Sequence, residues 1–414
     1  MRILIKDIHT IVQVEEDVLR TTAVKGSDMK YLPRLEKAWL LVNDDIIEDF
    51  GPMSTYPDNG NIVISAEGKW LFPSWCDSHT HLVYAGSREK EFVARSQGKS
   101  YEEIASEGGG ILNSAIRLND TSEEELIKQS LPRLKEIMMQ GTGAVEIKSG
   151  YGLSLEGELK MLRVIKKLKR MTPMAVKATF LGAHAIPIDY KENRQGYIDL
   201  ITGRMLPAIA EEKLADYIDV FCDQGFFTVQ ETDTILKAGA KFGLKPKIHA
   251  NELAISGGVQ VGVKNNAVSV DHLERIGTDE IIALLGSNTM PTALPGTSFF
   301  LGIDYAPARQ MINAGLPLCL ASDFNPGSTP SGRMAFVLTL ACLKMGMLPE
   351  EAINAVTING AVAMELLANY GTIARGKKAN FFLTKPLSSI AMLPYYYGSD
   401  LIDTVFVNGQ VQNE

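Results

Sequence analysis

From Met1 to about Val63 the chain alternates apolar and polar positions in short segments, MRILIKDIHTIVQV, AWLLVNDDIIEDFG and NIVIS, with Pro57, Asp58, Asn59 and Gly60 among the turn residues between them. Period-two alternation between turn signals predicts an antiparallel β unit. The C-terminal end has the same texture, ANFFLTKP and then LIDTVFVNGQVQ, with Asn408-Gly409 suited to a hairpin turn. Neither end is long enough to be secure alone, so residues 1–64 and 373–414 are expected to pair into one small composite β-sandwich domain. Across residues 65–372 the pattern changes to strand, loop, helix, repeated. Short apolar runs predict strands at Trp70–Cys76, Ala144–Ile147, Val176–Leu181, Ile218–Phe221, Pro246–Ile248, Ala267–Val270, Ser287–Met290 and Pro317–Ala321. Segments such as EEELIKQSLPRLKEIMMQ, EGELKMLRVIKKLKRM and VQETDTILKAGAKFG supply helices between them. The prediction is an α/β fold, a (β/α)8 TIM-like barrel with parallel strands.

In such a barrel the reactive groups gather at the carboxyl ends of the strands. Polar residues stand there in this chain. His79 and His81 follow the first strand in LFPSWCDSHTHL, Lys148 the second, His184 the third in FLGAH, and Asp223 the fourth. His249 follows the fifth in KIHANE, His272 the sixth in VDHLE, and Asp323 the eighth in CLASDFNPGS. Of the six histidines only His9 lies elsewhere. Residues i and i+2 of a strand share a face, so His79 and His81 can grip one ion. A lone strand-end histidine more often satisfies a backbone group, and a lone aspartate caps the next helix. Four such residues, His79, His81, His249 and Asp323, offer three nitrogens and a carboxylate, which suits Zn, Fe, Mn or Ni. A donor set without sulfur and with a position open to water marks a catalytic rather than a structural site.

Composition narrows the partners. A formal net charge of -8 and a pI near 5.5 argue against nucleic acid or an anionic membrane as the main partner, and leave room for a small anionic substrate met by one local arginine. Cys76, Cys222, Cys319 and Cys342 show no C-x-x-C spacing and read as reduced core residues. MRILIKDIHT lacks a long apolar stretch, so no signal peptide is expected and a cytoplasmic location is. Gly108, Gly109 and Gly110 lack the residues of a phosphate loop and imply no nucleotide. A homodimer is the default assembly, and Tyr395, Tyr396 and Tyr397 fit either an interface or the core.

The run PSWCDSHTHL resembles the P-G-F-x-D-x-H-x-H strand of the amidohydrolase superfamily, with Ser74 and Ser78 in place of the usual Gly and Pro. The flanking composite domain matches too. HLVYAGSREKEF, EGGGI, EIKSGYGL, FLGAHAIP, KIHANE, VDHLE and SDFNPGS extend the resemblance across the barrel, to the members that open the imidazolone ring in histidine degradation. The resemblance implies hydrolysis of the ring lactam of 4-imidazolone-5-propanoate to N-formimidoyl-L-glutamate, with water activated by one divalent or trivalent metal ion per subunit, Zn or Fe. Relatives that bridge two metals with a carboxylated lysine carry it after the fourth strand. Here Cys222 and Asp223 stand there and Lys148 follows the second strand, so one metal is expected.

Asp323 would take or hold the proton of that water. Glu252, three residues after His249, would act as general acid/base beside the substrate. His272 would polarise the carbonyl oxygen. The propionate requires a cation, and Arg88 in GSRE can meet it with a two-pronged guanidinium. By resemblance Tyr151 and His184 hold the ring or its carbonyl, and Asn325, Gly327 and Ser328 offer turn donors to a carboxylate. Plainer accounts exist for each: a helix-start carboxylate for Glu252, a structural hydrogen bond for His272, solvation for Arg88, a tight turn for FNPGS. Two rival functions share the fold. A heterocyclic-base deaminase would also use H-x-x-E, but its neutral substrate leaves Arg88 without a purpose. A non-enzymatic scaffold would have lost ligands, and all four are present.

Overall fold

The computed structural model describes residues 1–16, 19–57, 60–99, 103 and 109–413; Asp58, Asn59 and Gly108, singled out above, lie outside them. Among the described residues, eight strands form one parallel sheet in chain order: Trp75–Thr80, Thr142–Lys148, Ala175–Ala183, Tyr217–Cys222, Lys245–Ala250, Ser269–His272, Met290–Ala293 and Cys319–Leu320. The first and last are drawn together just past the end of the eighth strand. Thr80 bridges Phe324 in parallel. His81 N donates to Phe324 O at 2.9 Å, and Asp323 N to His79 O at 3.0 Å. Below this seam the buried Asp77 carboxylate accepts from Ser322 N at 3.0 Å and from Ser322 Oγ at 2.5 Å. The fold is therefore the expected (β/α)8 barrel.

The helices between strands begin where the sequence supplies caps. Ser122 Oγ accepts from Glu125 N before helix Glu123–Met139, and Ser154 Oγ from Gly157 N before Leu155–Met171. Thr228 and Glu231 form a reciprocal capping box before Val229–Ala240. Helix Leu155–Met171 buries Leu159, Leu162, Ile165 and Leu168, one face at a spacing of three. Those side chains join the strands' outer faces in the main core.

Both termini build a second sheet. Arg2–Val12 pairs antiparallel with Arg34–Asn43, which pairs with Ile46–Pro52. On its other edge Arg2–Val12 runs parallel to Ile62–Ser65 and Trp70–Pro73. Trp70–Pro73 then pairs antiparallel with Phe381–Thr384, followed by Ile402–Val407 and Gln410–Gln412. The last hairpin turns on Asn408 and Gly409, both at positive φ. A Cβ at position 409 would lie 1.9 Å from Asp44 O, so only glycine fits.

Two strand expectations are corrected. Trp70–Cys76 is not one strand: the chain changes sheets at Ser74. Ser74 N donates to Asn380 O in the terminal sheet, and the next amide, Trp75 N, donates to Gly141 O in the barrel. His79 consequently sits within the first barrel strand rather than after it. The seventh strand starts at Met290, not Ser287, because Ser287 closes the preceding helix through Leu284 O and caps Thr289 N.

Ser322→Ala removes a hydroxyl from a fully buried carboxylate and should destabilise the fold by about 1–3 kcal/mol. Urea unfolding measures this; a change within a few tenths of a kcal/mol would show that the Asp77 clasp does not hold the seam.

Candidate active site

Side-chain parity puts charge inside the barrel. Asp77, His79 and His81 alternate on the first strand region, Glu146 and Lys148 on the second, and Lys247 and His249 on the fifth, all buried. Asp219 and Asp271 add one carboxylate each from the fourth and sixth strands. Lys148 Nζ donates to Glu146 Oε1 at 2.7 Å and to Asp219 Oδ2 at 2.8 Å, and lies 3.7 Å from Asp271 Oδ2. Lys247 Nζ contacts Glu146 Oε2, and Thr179 Oγ1 donates to Glu146 Oε1 at 2.6 Å. Burial works against charge on Lys148, but Asp219, Glu146 and Asp271 outweigh it and hold the ammonium protonated.

The imidazoles stand on this floor. His79 Nδ1 lies 2.6 Å from Asp271 Oδ2, and His249 Nδ1 lies 3.0 Å from Asp219 Oδ2. A proton on His79 Nδ1, facing the Asp271 carboxylate, leaves its Nε2 as a lone pair. His79 Nε2 is buried with no hydrogen-bond partner among the described residues. His249 Nε2 lies 3.4 Å from His81 Nε2. Asp323 Oδ1 is 3.7 Å from His79 Nε2 and 3.6 Å from His81 Nε2. Burial, then the neighbouring Lys148 and histidines, pushes His79 well below the usual imidazole range; burial and then His184 do the same to His81. Neutral imidazoles are the form that binds metal. One donor nitrogen from each of His79, His81 and His249 falls within 4.8 Å of the others. Three buried ring nitrogens gathered at one place fit a divalent cation, and the donor set has no sulfur.

Above them opens a cavity of about 670 Å³ lined by His81, Arg88, Tyr151, His184, His249, Glu252, His272, Asp323, Asn325, Gly327 and Ser328. Of the residues proposed from the sequence for metal, proton transfer or substrate, all but His79 line this one space; Lys148 and Asp223, the other strand-end residues, do not. Burial pushes Glu252 up to about 7, with Glu274 and Asp323 adding to the effect and His272 opposing it. His272 feels the same burial, but Glu252, Glu274 and Asp323 outweigh it and raise it to about 10. Its Nδ1 is 3.6 Å from Glu252 Oε2. His184 donates from Nδ1 to Gly150 O at 2.9 Å, and burial lowers it to about 3.

Two expectations about donors look different in the folded chain. The backbone N–H groups of Gly327 and Ser328 both donate to Asn325 Oδ1 at 2.7 Å, so the FNPGS turn spends them on its own side chain. Arg88 is paired with Glu91, which also accepts from Gly110 N at 3.0 Å. A Cβ at Gly327 would lie 2.0 Å from Arg88 Nη1, so this glycine makes room for the guanidinium.

Several residues around the site escaped the sequence reading. Asp219 and Asp271 orient two histidines. Thr297 Oγ1 donates to Asp323 Oδ2 at 2.5 Å, and Ser328 Oγ approaches the same oxygen at 3.3 Å. The available signal was charge at alternating positions of strands otherwise apolar on both faces, such as Glu146-x-Lys148 and Lys247-x-His249. Thr297 carried no such signal.

An eight-stranded barrel with buried histidines, an aspartate and a glutamate at its strand ends is the arrangement of an amidohydrolase. The amidohydrolase family model matches residues 228–411. Among solved structures, guanine deaminase of E. coli superimposes with a TM-score of 0.75 at 14% identity, covering 100% of this chain and 99% of that one. A variant of the atrazine chlorohydrolase TrzN from Arthrobacter aurescens TC1, complexed with zinc and atraton, gives 0.72 at 15% identity, over 99% and 94%. These two likenesses concern the fold. The imidazolonepropionase of Flavobacterium johnsoniae is 59% identical over 409 residues, 99% of each chain, and that of Christiangramia forsetii is 55% identical over 413 residues, 99% of this chain and 100% of that one. The chain belongs to the imidazolonepropionase family.

Asp271→Ala should weaken binding of a divalent ion about 10- to 100-fold, the usual effect of removing a partner that orients a ligating histidine. Competition with a chromophoric chelator reads this, and unchanged affinity would show that Asp271 does not aim His79 at an ion.

Proposed function

We propose that this chain hydrolyses the ring lactam of 4-imidazolone-5-propanoate to N-formimidoyl-L-glutamate, a step of histidine degradation. His79, His81, His249 and Asp323 would hold a single ion, zinc or iron. When bound, such an ion supplies Lewis acidity and can bring the pKa of a water down to about 7. Lys148 is engaged by Glu146 and Asp219 on the barrel floor, which supports one ion rather than a lysine-bridged pair.

The chain's own groups divide the remaining work. Asp323 presents Oδ1 toward the histidines while Thr297 holds Oδ2, so it can take the attacking water's proton without turning. Glu252, raised to about 7, can accept a proton and return it near neutral pH, the match that general acid–base catalysis requires. Its target would be the ring nitrogen that leaves when the lactam opens. His272, kept protonated by its carboxylate neighbours, can donate to the carbonyl oxygen as negative charge develops there. Arg88 would meet the propionate, with Tyr151 and His184 against the ring and Asn325, Gly327 and Ser328 beside the carboxylates.

The observation that carries this reading is that one cavity joins Arg88 to the histidines, Asp323 and Glu252. A carboxylate-binding cation and a hydrolytic centre face the same substrate-sized space. A base deaminase would use the same floor, but its neutral substrate offers no carboxylate to the guanidinium that Glu91 holds at the cavity wall. The four thiols are free, which supports a cytoplasmic enzyme, and the exposed Tyr395, Tyr396 and Tyr397 support a homodimer contact. No helix among the described residues is long and apolar enough to cross a membrane.

Metal-reconstituted protein should turn over the imidazolone and leave guanine and cytosine untouched; deamination of either base with no ring opening would reverse the assignment. Arg88→Ala should raise KM by about 10- to 100-fold, the equivalent of a charged hydrogen bond of about 1.5–3 kcal/mol, with metal content retained. An unchanged KM would place the carboxylate elsewhere. Glu252→Gln should lower kcat by about 10²- to 10⁴-fold with metal retained, and near-normal turnover would move the proton shuttle to another group.

A further inference from the structure

We propose that Asp223 is the positioning residue that holds Glu252 over the reacting atoms, an inference that rests on the proton-shuttle role given to Glu252 above. Asp223 follows the fourth barrel strand directly. Cys222 and Ala250 are register partners, so Asp223 stands beside the start of the loop that carries Glu252. Its buried carboxylate accepts from three consecutive backbone amides of that loop. Oδ2 takes Glu252 N at 2.8 Å and Leu253 N at 3.0 Å, and Oδ1 takes Ala254 N at 3.1 Å. Oδ1 also takes its own neighbour, Gln224 N, at 2.7 Å.

Nothing apolar does this job instead. Leu253 and Ile255, the large apolar residues of the loop, are 46% and 63% exposed. With Leu253 at the edge of the cavity and Ile255 mostly exposed, packing alone does not hold the loop. Its near end turns at Asn251, a non-glycine residue at φ 57°, and its far end is tied by Ser256 Oγ to Cys222 O at 2.7 Å. Between these points the converging N–H groups form an anion-binding concavity filled by the protein's own carboxylate. Hydrogen bonds to a charged acceptor are about twice as strong as neutral ones. They fix the Glu252 backbone, and with it the place from which the Glu252 carboxyl reaches the cavity. A displacement near 1 Å at such a group can lower turnover about 10²-fold.

Asp223→Asn keeps the shape but replaces one acceptor oxygen by an NH2 group facing N–H donors. It should lower kcat about 10- to 100-fold, leave bound metal at wild-type content, and speed amide hydrogen exchange at residues 252–254. The decisive comparison is a double-mutant cycle. If Asp223 acts through Glu252, adding D223N to E252Q should slow turnover no more than about twofold beyond E252Q alone. The inference is overturned if D223N turns over like the wild type while E252Q is crippled, or if D223N lowers kcat by the same factor in both backgrounds, as a general structural role would. Near-normal turnover of E252Q would instead overturn the shuttle reading beneath it. Should D223N not accumulate as folded protein, Asp223→Glu, which retains the charge on a longer arm, carries the same comparison.

Discussion

Three buried imidazoles gathered at one place in the barrel are unfavourable company unless a cation joins them, and carboxylates stand behind two of them. Asp271 behind His79 sets which ring nitrogen carries the proton, and Asp219 Oδ2 stands 3.0 Å behind Nδ1 of His249. Lys148 bonds Asp219 and approaches Asp271, so two rings from different strands answer to one buried ammonium. Charges this deep persist only when each has partners. The floor supplies them through Glu146, Lys247 and Thr179.

The rest of the molecule keeps that floor closed and that mouth shaped. The barrel seam falls at His79–His81 and Asp323, so the contacts that join the first strand to the end of the last also bring the proposed ligands from both ends of the barrel together. Asp323 sits at φ 52°, a left-handed turn imposed between Ser322, which is clasped by Asp77, and Phe324, which accepts from His81 N. The terminal sheet feeds the first barrel strand directly, changing sheets within two residues at Ser74 and Trp75. Strand, seam and site are one construction.

Much of this was legible in the sequence because its signals are local. Alternation at the ends, apolar runs followed by helical periods, and histidines after the runs predict the barrel and gather the residues of the cavity. The misreadings have local causes too. Trp70–Cys76 is an unbroken apolar run, and nothing in it announces that Ser74 bonds one sheet and Trp75 another. What stayed hidden depends on partners far along the chain: Asp77 with Ser322, Thr297 with Asp323, Asp223 with the loop at Glu252. A buried carboxylate can be suspected from parity, but the residue it serves is known only once the strands are assembled.

The chemistry of this site turns on where an ion sits and what touches it. Anomalous diffraction at the zinc edge from crystals of the zinc-loaded protein tests it directly. A single peak is expected at the floor of the cavity, held by His79, His81, His249 and Asp323. A peak bound by other residues, or two peaks bridged at Lys148, would contradict it.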